Sequence, residues 1–185
     1  YYATLLAMAE SLRFGIVSSS DMYYFCDDMV RAVEESGAKA NISRSITSFA
    51  EGSVKNNDSY REAEALIRDY HGAAEGRILI DASIHAEYTN TVTSITEVAD
   101  LAKKYGVNMH VHVSETKQEH EECKARHGGR TPAQLLCDLG AFDTRTTAAH
   151  CVWAEEEDIE IFSEKGVAVA TCPVSKLKLA SGVCN

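Results

Sequence analysis

The stretch Ile95–Glu115, ITEVADLAKKYGVNMHVHVSE, decides the fold of this chain. Apolar residues recur at three- and four-residue intervals across Ile95–Tyr105, which is the spacing of one face of an α-helix. The helical pattern stops at Gly106, and the β-rich run Val107–Val111 follows. Glycine is favoured directly after a helix because that position adopts a left-handed backbone, which is costly for a residue with a Cβ. The stretch therefore predicts a helix, a glycine stop and a strand in succession.

The same unit recurs along the chain. Six glycines each end a helical pattern and precede a β-rich run: Gly15, Gly37, Gly76, Gly106, Gly140 and Gly166. Alternating helices and strands imply parallel strands joined by crossover helices, in either a doubly wound sheet or a (β/α) barrel. The histidines favour the barrel, because His85, His112 and His150 directly follow β-rich runs and a barrel brings several strand ends to one point. We predict an α/β fold, a partial TIM-type (β/α)8 barrel with about six parallel strands and crossover helices, as a single domain over residues 1–185.

Composition restricts the class of protein. With 45% hydrophobic and 25% charged residues, the 185-residue chain can bury one substantial core. The net charge of −10, with Lys and Arg dispersed among acids, argues against a nucleic-acid partner. No stretch approaches the roughly 20 apolar residues that span a bilayer, no signal peptide is visible, and the six cysteines form no CxxC pair. These features predict a cytoplasmic protein without a membrane partner.

The other histidines call for separate interpretations. His110 and His112 are two residues apart and share one face of a strand, so they form either a metal-binding HxH pair or a stack in which His110 fills a barrel layer beneath His112. The second interpretation is favoured. His71, His120 and His127 lie among charged neighbours and are expected on the surface.

Three segments together resemble the amidohydrolase superfamily. They are His110–Thr116 (HVHVSET), Ala148–Trp153 (AAHCVW) and Cys172–Gly182 (CPVSKLKLASG). Within the superfamily, the likeness is to the branch of 5′-methylthioadenosine/S-adenosylhomocysteine deaminases and chlorohydrolases, and it extends over essentially the whole chain. The resemblance implies a zinc-dependent hydrolytic deaminase in which a zinc-activated water attacks an adenosine-type purine such as S-adenosylhomocysteine or 5′-methylthioadenosine. The partner is then a small-molecule purine or another heterocycle. Fe²⁺ in place of Zn²⁺ is equally compatible with these ligand types.

The resemblance also implies roles for individual residues. His112 is similar to the metal-binding histidine of the fifth barrel strand, and neutral imidazole is a suitable zinc ligand. Glu115 resembles the catalytic glutamate that contacts the substrate ring and relays a proton. Taken alone, Glu115 is better explained as an acid at a helix start, and it is the neighbouring His112 that favours the catalytic role. His150 resembles the histidine that orients or deprotonates the attacking water, and His85 and Arg44 resemble substrate-binding residues.

Other features of the family are not matched. Its members carry an HxH pair on the first strand and a metal-binding aspartate on the eighth, and neither strand is recognisable here. A catalytic zinc usually takes three protein ligands, of which His112 is one. The isolated chain is therefore expected to be inactive and to bind metal weakly. Lys176 also stands where the family commonly has asparagine.

Two further functions stay open. The first is another amidohydrolase branch, such as guanine deamination or triazine dechlorination, because one fold can host many reactions. The second is a truncated, non-catalytic interaction module. A barrel without its first and eighth strands exposes two unpaired edges, so either other residues complete it or two copies pair as a homo-oligomer.

Overall fold

One sheet of six parallel strands forms the centre of the structure, a computed structural model that describes residues 1–184. The strands follow one another in chain order, which is the order of a (β/α) barrel, whereas a doubly wound sheet reverses its order at a switch point. This confirms the predicted partial barrel with six strands. Their bounds are β1 Ser18–Tyr23, β2 Lys39–Arg44, β3 Ile78–Ala86, β4 Met109–Val113, β5 Thr146–His150 and β6 Ala168–Ala170.

Helices connect the strands and cover one face of the sheet. They are α1 Tyr2–Arg13, α2 Cys26–Ser36, α3 Asp58–Tyr70, the short α4 Ala73–Gly76, α5 Val92–Tyr105, α6 Lys117–Arg126, α7 Pro132–Asp138, α8 Glu156–Lys165 and α9 Pro173–Leu179, with a 3-10 turn at Glu87–Thr89. Among residues 1–184, no helix is both long enough and apolar enough to cross a bilayer.

The predicted glycine stop at Gly106 is confirmed. Gly106 ends α5 with a backbone φ of 65°, and its N–H bonds back to the helix carbonyls of Ala102 and Lys103. The left-handed conformation turns the chain out of the helix at little cost because glycine has no Cβ. Strand β4 begins three residues later, so this glycine returns the chain to the sheet.

The two faces of β4 carry different side chains, apolar residues on one and histidines on the other. On β4, Met109, Val111 and Val113 are fully buried in the apolar core beside α5, whereas His110 and His112 alternate with them and face the barrel interior. His110 lies beneath His112, with 6.4 Å between the ring centroids, and its Nδ1 is 3.3 Å from Ser43 Oγ. His110 thus fills an interior layer, as the favoured interpretation predicted.

The sheet ends at β1 on one side and at β6 on the other. Within residues 1–184, β1 pairs only with β2 and β6 pairs only with β5. Both outer strands therefore have one side without a strand partner in this part of the chain. Such edges are open to pairing with further strands.

The core makes a specific prediction about stability. Ile80 on β3 is completely buried, so Ile80→Ala should lower the free energy of unfolding by about 2–5 kcal/mol through lost burial and a residual cavity. Ile159→Ala is the matched control, because Ile159 on α8 is 55% exposed and should change stability by less than about 1 kcal/mol. Urea unfolding followed by circular dichroism measures both. Equal losses would contradict the position of Ile80 in the core.

Candidate active site

Three histidines meet at the carboxyl ends of neighbouring strands. His85 lies near the end of β3, His112 near the end of β4 and His150 at the end of β5. The ring centroids of His85 and His112 are 4.9 Å apart, and those of His112 and His150 are 5.1 Å apart. The strand ends thus bring together side chains that are far apart in sequence, as the barrel topology requires.

The orientation of His150 depends on an unusual backbone conformation. In the strand register, His150 pairs with Val113, whose side chain lies in the apolar core on the helix side. Paired residues of parallel strands point to the same face, so regular geometry would direct His150 away from His112. Instead, φ is 75° at His150 and 49° at Cys151, which turns the chain at this point and leaves the imidazole beside His112.

Burial keeps these imidazoles neutral at pH 7. It lowers the pKa of His112 to about 3 and that of His110 to about 4, because a charged ring loses its hydration there. The pKa of His85 and that of His150 are also lowered by burial, an effect that the nearby Glu115 carboxylate opposes. A neutral ring retains one nitrogen lone pair for a metal ion or a proton.

Glu115 brings a carboxylate to the edge of the histidine cluster. It lies on the turn between β4 and α6, and its Oε1 is 3.5 Å from His150 Nε2. Ser175, on α9, donates a hydrogen bond to the same oxygen at 3.4 Å. A carboxylate beside neutral imidazoles can exchange protons with a ligand held between them.

The donor set fits a divalent metal ion. Nδ1 of His112 and Nδ1 of His150 are buried and have no hydrogen-bond partner within residues 1–184. Buried polar atoms are normally satisfied, so these two imidazole nitrogens are suited to bind a ligand. Neutral imidazole nitrogens are preferred ligands of Zn²⁺ and of related transition metals.

The two predicted substrate-binding residues differ in their surroundings. His85 lies within the cluster, where its Nδ1 is 3.1 Å from Thr89 Oγ1. The guanidinium of Arg44 is directed towards α3, where its Nε forms a 2.6 Å ion pair with Glu62, and it stacks over the ring of Tyr24. The structure therefore brings together His85, His112, Glu115 and His150, while Arg44 contacts a different set of side chains.

Two buried residues beside the site were not predicted. The carboxylate of Glu119 accepts hydrogen bonds from the N–H groups of Ser114 and Glu115. The pattern Thr116-x-x-Glu119 is that of a helix capping box and could have revealed it. The expectation that His120 lies on the surface is wrong: it is 2% exposed, because it bridges Ser114 and Glu155 by hydrogen bonds.

A second cluster of side chains that could bind a metal is accounted for by contacts within the protein. Donor atoms of Glu87, Cys123 and His127 lie within 4.8 Å of one another. The two carboxylate oxygens of Glu87 already have partners, His127 Nε2 at 2.9 Å and Arg126 Nη2 at 2.6 Å. Burial raises the pKa of the Cys123 thiol to about 12, which disfavours the thiolate form that binds metals.

Comparison with known proteins places the chain in a family. The chain is 43% identical over 182 residues to a 5-methylthioadenosine/S-adenosylhomocysteine deaminase of Caldanaerobacter subterraneus subsp. tengcongensis, covering 98% of this chain and 42% of the relative. It is 38% identical over 183 residues to a 5'-deoxyadenosine deaminase of Methanothermobacter thermautotrophicus, covering 99% of this chain and 42% of the relative. The chain thus spans about two fifths of the length of these relatives.

A solved structure shows the same fold. An adenosine deaminase from Xanthomonas campestris, crystallised with bound zinc, superposes with a TM-score of 0.87 at 32% identity, over 98% of this chain and 41% of that protein. The sequence profile of the Amidohydrolase family matches residues 1–185. These matches confirm the resemblance inferred from the three motifs. The chain belongs to the amidohydrolase family.

Proposed function

We propose that this chain is part of a metal-dependent hydrolytic deaminase that acts on an adenosine-type purine such as S-adenosylhomocysteine or 5′-methylthioadenosine. The observation that carries the proposal is the cluster of His85, His112 and His150 with the Glu115 carboxylate 3.5 Å from His150. The similarity to relatives named for such deaminases supports the substrate class. The chain covers 42% of the first of these relatives, so the proposal concerns the full-length protein that contains it.

His112 is the residue proposed to hold the metal, with Zn²⁺ as the ion and Fe²⁺ as the alternative. Its neutral ring and unpartnered Nδ1 support this assignment. When bound, such an ion supplies a hydroxide at neutral pH, because it lowers the pKa of water to about 7. Further ligands are expected from the rest of the full-length protein, since one imidazole does not make a catalytic site.

Glu115 and His150 are proposed to move the protons. Hydrolytic deamination adds water to the amidine carbon, breaks the C–N bond and leaves a carbonyl and ammonia. The neutral His150 orients the attacking water and accepts one of its protons, while Glu115, in its acid form, gives its proton to the ring nitrogen. The resulting Glu115 carboxylate then takes the hydroxyl proton of the adduct and passes it to the departing amine, and His150 returns its proton to Glu115 after ammonia has left. Their 3.5 Å separation supports a shared role, because both groups can reach one bound ligand.

His85 and Arg44 are proposed to bind the substrate. His85 Nε2 points to this role because Nδ1 of the same ring is already engaged with Thr89. For Arg44 the support is the family resemblance alone, and contact with a substrate would require its ion pair with Glu62 to open.

A substrate panel tests the proposed function. Full-length protein loaded with zinc should release ammonia from adenosine derivatives faster than from guanine, and should release no chloride from chlorotriazines. Faster turnover of guanine or a chlorotriazine would assign the protein to another amidohydrolase branch. No turnover of any compound would contradict the enzymatic proposal and favour a non-catalytic module.

Glu115→Gln tests the proton relay. Loss of the acid should lower kcat by about 10²–10⁴-fold, the usual contribution of general acid–base catalysis, without changing the metal content. Glu121→Gln is the matched control, because Glu121 is exposed on α6, the helix that follows Glu115. Kinetics on the full-length protein and metal analysis measure the two effects. An unchanged kcat would remove Glu115 from the mechanism.

His112→Ala tests the metal site. The variant should bind substantially less than one zinc per chain in the full-length protein, as measured by atomic emission after dialysis. His127→Ala serves as the comparison, because His127 belongs to the second donor group around Glu87. Loss of zinc from His127→Ala but not from His112→Ala would show that the metal binds at the group around Glu87 and not at His112.

A further inference from the structure

The carboxylate of Glu119 holds the turn that carries Glu115. One oxygen accepts the N–H of Ser114 at 2.9 Å, and the other accepts the N–H of Glu115 at 2.8 Å. Glu119 is 5% exposed, so little water competes for these bonds. Burial raises the pKa of Glu119 to about 7, and the backbone N–H groups of Glu115, Thr116 and Ser114 oppose this shift because they bind the charged form. The position of the Glu115 backbone therefore depends on a side chain four residues later.

The bonding pattern differs from that of an ordinary capping box. In α7, Gln134 Oε1 accepts the N–H of the capping residue Thr131 at 3.1 Å. In α6, the corresponding bond from Thr116 N–H to Glu119 is 3.4 Å long, and the two shorter bonds go to the residues before the cap. Glu119 thus serves the turn that precedes the helix more than it serves the helix end.

The turn needs such support because its backbone is strained. Ser114 has a φ of 48°, a left-handed conformation that is unfavourable for a residue with a Cβ. Its side chain is held as well: Ser114 Oγ is 3.0 Å from His120 Nδ1, and His120 Nε2 is 3.0 Å from Glu155 Oε1. Strain of this kind persists only where surrounding contacts over-determine it.

We propose that Glu119 is a positioning residue that fixes Glu115 for proton transfer; this inference rests on the deaminase function proposed above. In this proposal Glu119 does not contact the substrate, and it acts through the two N–H groups that it binds. A small displacement of Glu115 would separate its carboxylate from His150, which lies 3.5 Å away. A misplacement of about 1 Å can cost roughly 10²-fold in rate.

Glu119→Gln tests the proposal in the full-length protein. The side-chain amide keeps the shape of the carboxylate but has one acceptor oxygen, so one of the two short bonds is lost. We expect kcat for the adenosine derivative to fall about 100-fold, with KM changed by less than about threefold because ground-state binding is retained. Circular dichroism and thermal unfolding establish that the variant is folded.

Gln134→Ala is the matched control, because it removes the equivalent cap acceptor from α7 without touching Glu115. It should lower stability while kcat stays within about threefold of the wild type. A kcat for Glu119→Gln within threefold of the wild type would overturn the proposal. So would an equal fall in kcat for both variants, since that would show a general loss of stability.

Amide hydrogen exchange on the full-length protein gives a test that needs no activity and no variant. The amides of Ser114 and Glu115 should exchange at least about 10-fold more slowly than those of Lys117 and Gln118, because first-turn N–H groups have no intrahelical acceptor. Equal rates would overturn the inference. If the wild-type enzyme releases no ammonia, the proposed function fails, and the exchange rates still decide whether Glu119 holds the turn.

Discussion

The carboxyl ends of parallel strands lie at one edge of a sheet, and the candidate site depends on this constraint. His85, His112 and His150 come from three successive strands, and their rings lie about 5 Å apart because those strands are neighbours in the sheet. The helices cover the opposite, apolar face and exclude water from it. On the interior face, burial among the strand ends keeps the imidazoles neutral, which is the form that binds metals and accepts protons.

Helix α6 connects the loops that follow β3, β4 and β5. At its start, Glu119 binds the turn after β4, and the next residue, His120, bonds to Glu155 at the beginning of α8, after β5. At its end, Arg126 forms an ion pair with Glu87, which follows β3. A single helix thus fixes the relative positions of three strand ends, and this rigidity is what a preorganised site requires.

Three of the seven non-glycine residues with positive φ among residues 1–184 lie around the same site. Ser114, His150 and Cys151 all have positive φ although none is glycine. Each lies at the end of a strand whose histidine belongs to the cluster, and the turn at His150 directs its ring towards His112. Hydrogen bonds from Cys151 N–H to Val113 and from Trp153 N–H to Ser114 tie the two strained turns together. Strained residues held in this way are typical of functional sites.

The sequence by itself determined the order of helices and strands and the strand-end histidines, since the spacing in Ile95–Tyr105 and the stop at Gly106 are local properties of the chain. The three motifs also determined the family. Only the tertiary structure decided that His150 points inwards, that Arg44 pairs with Glu62, and that Glu119 holds Glu115. The physical reason is that periodicity records which face of an element is buried. The direction of a polar side chain depends on partners and backbone turns fixed by residues distant in sequence.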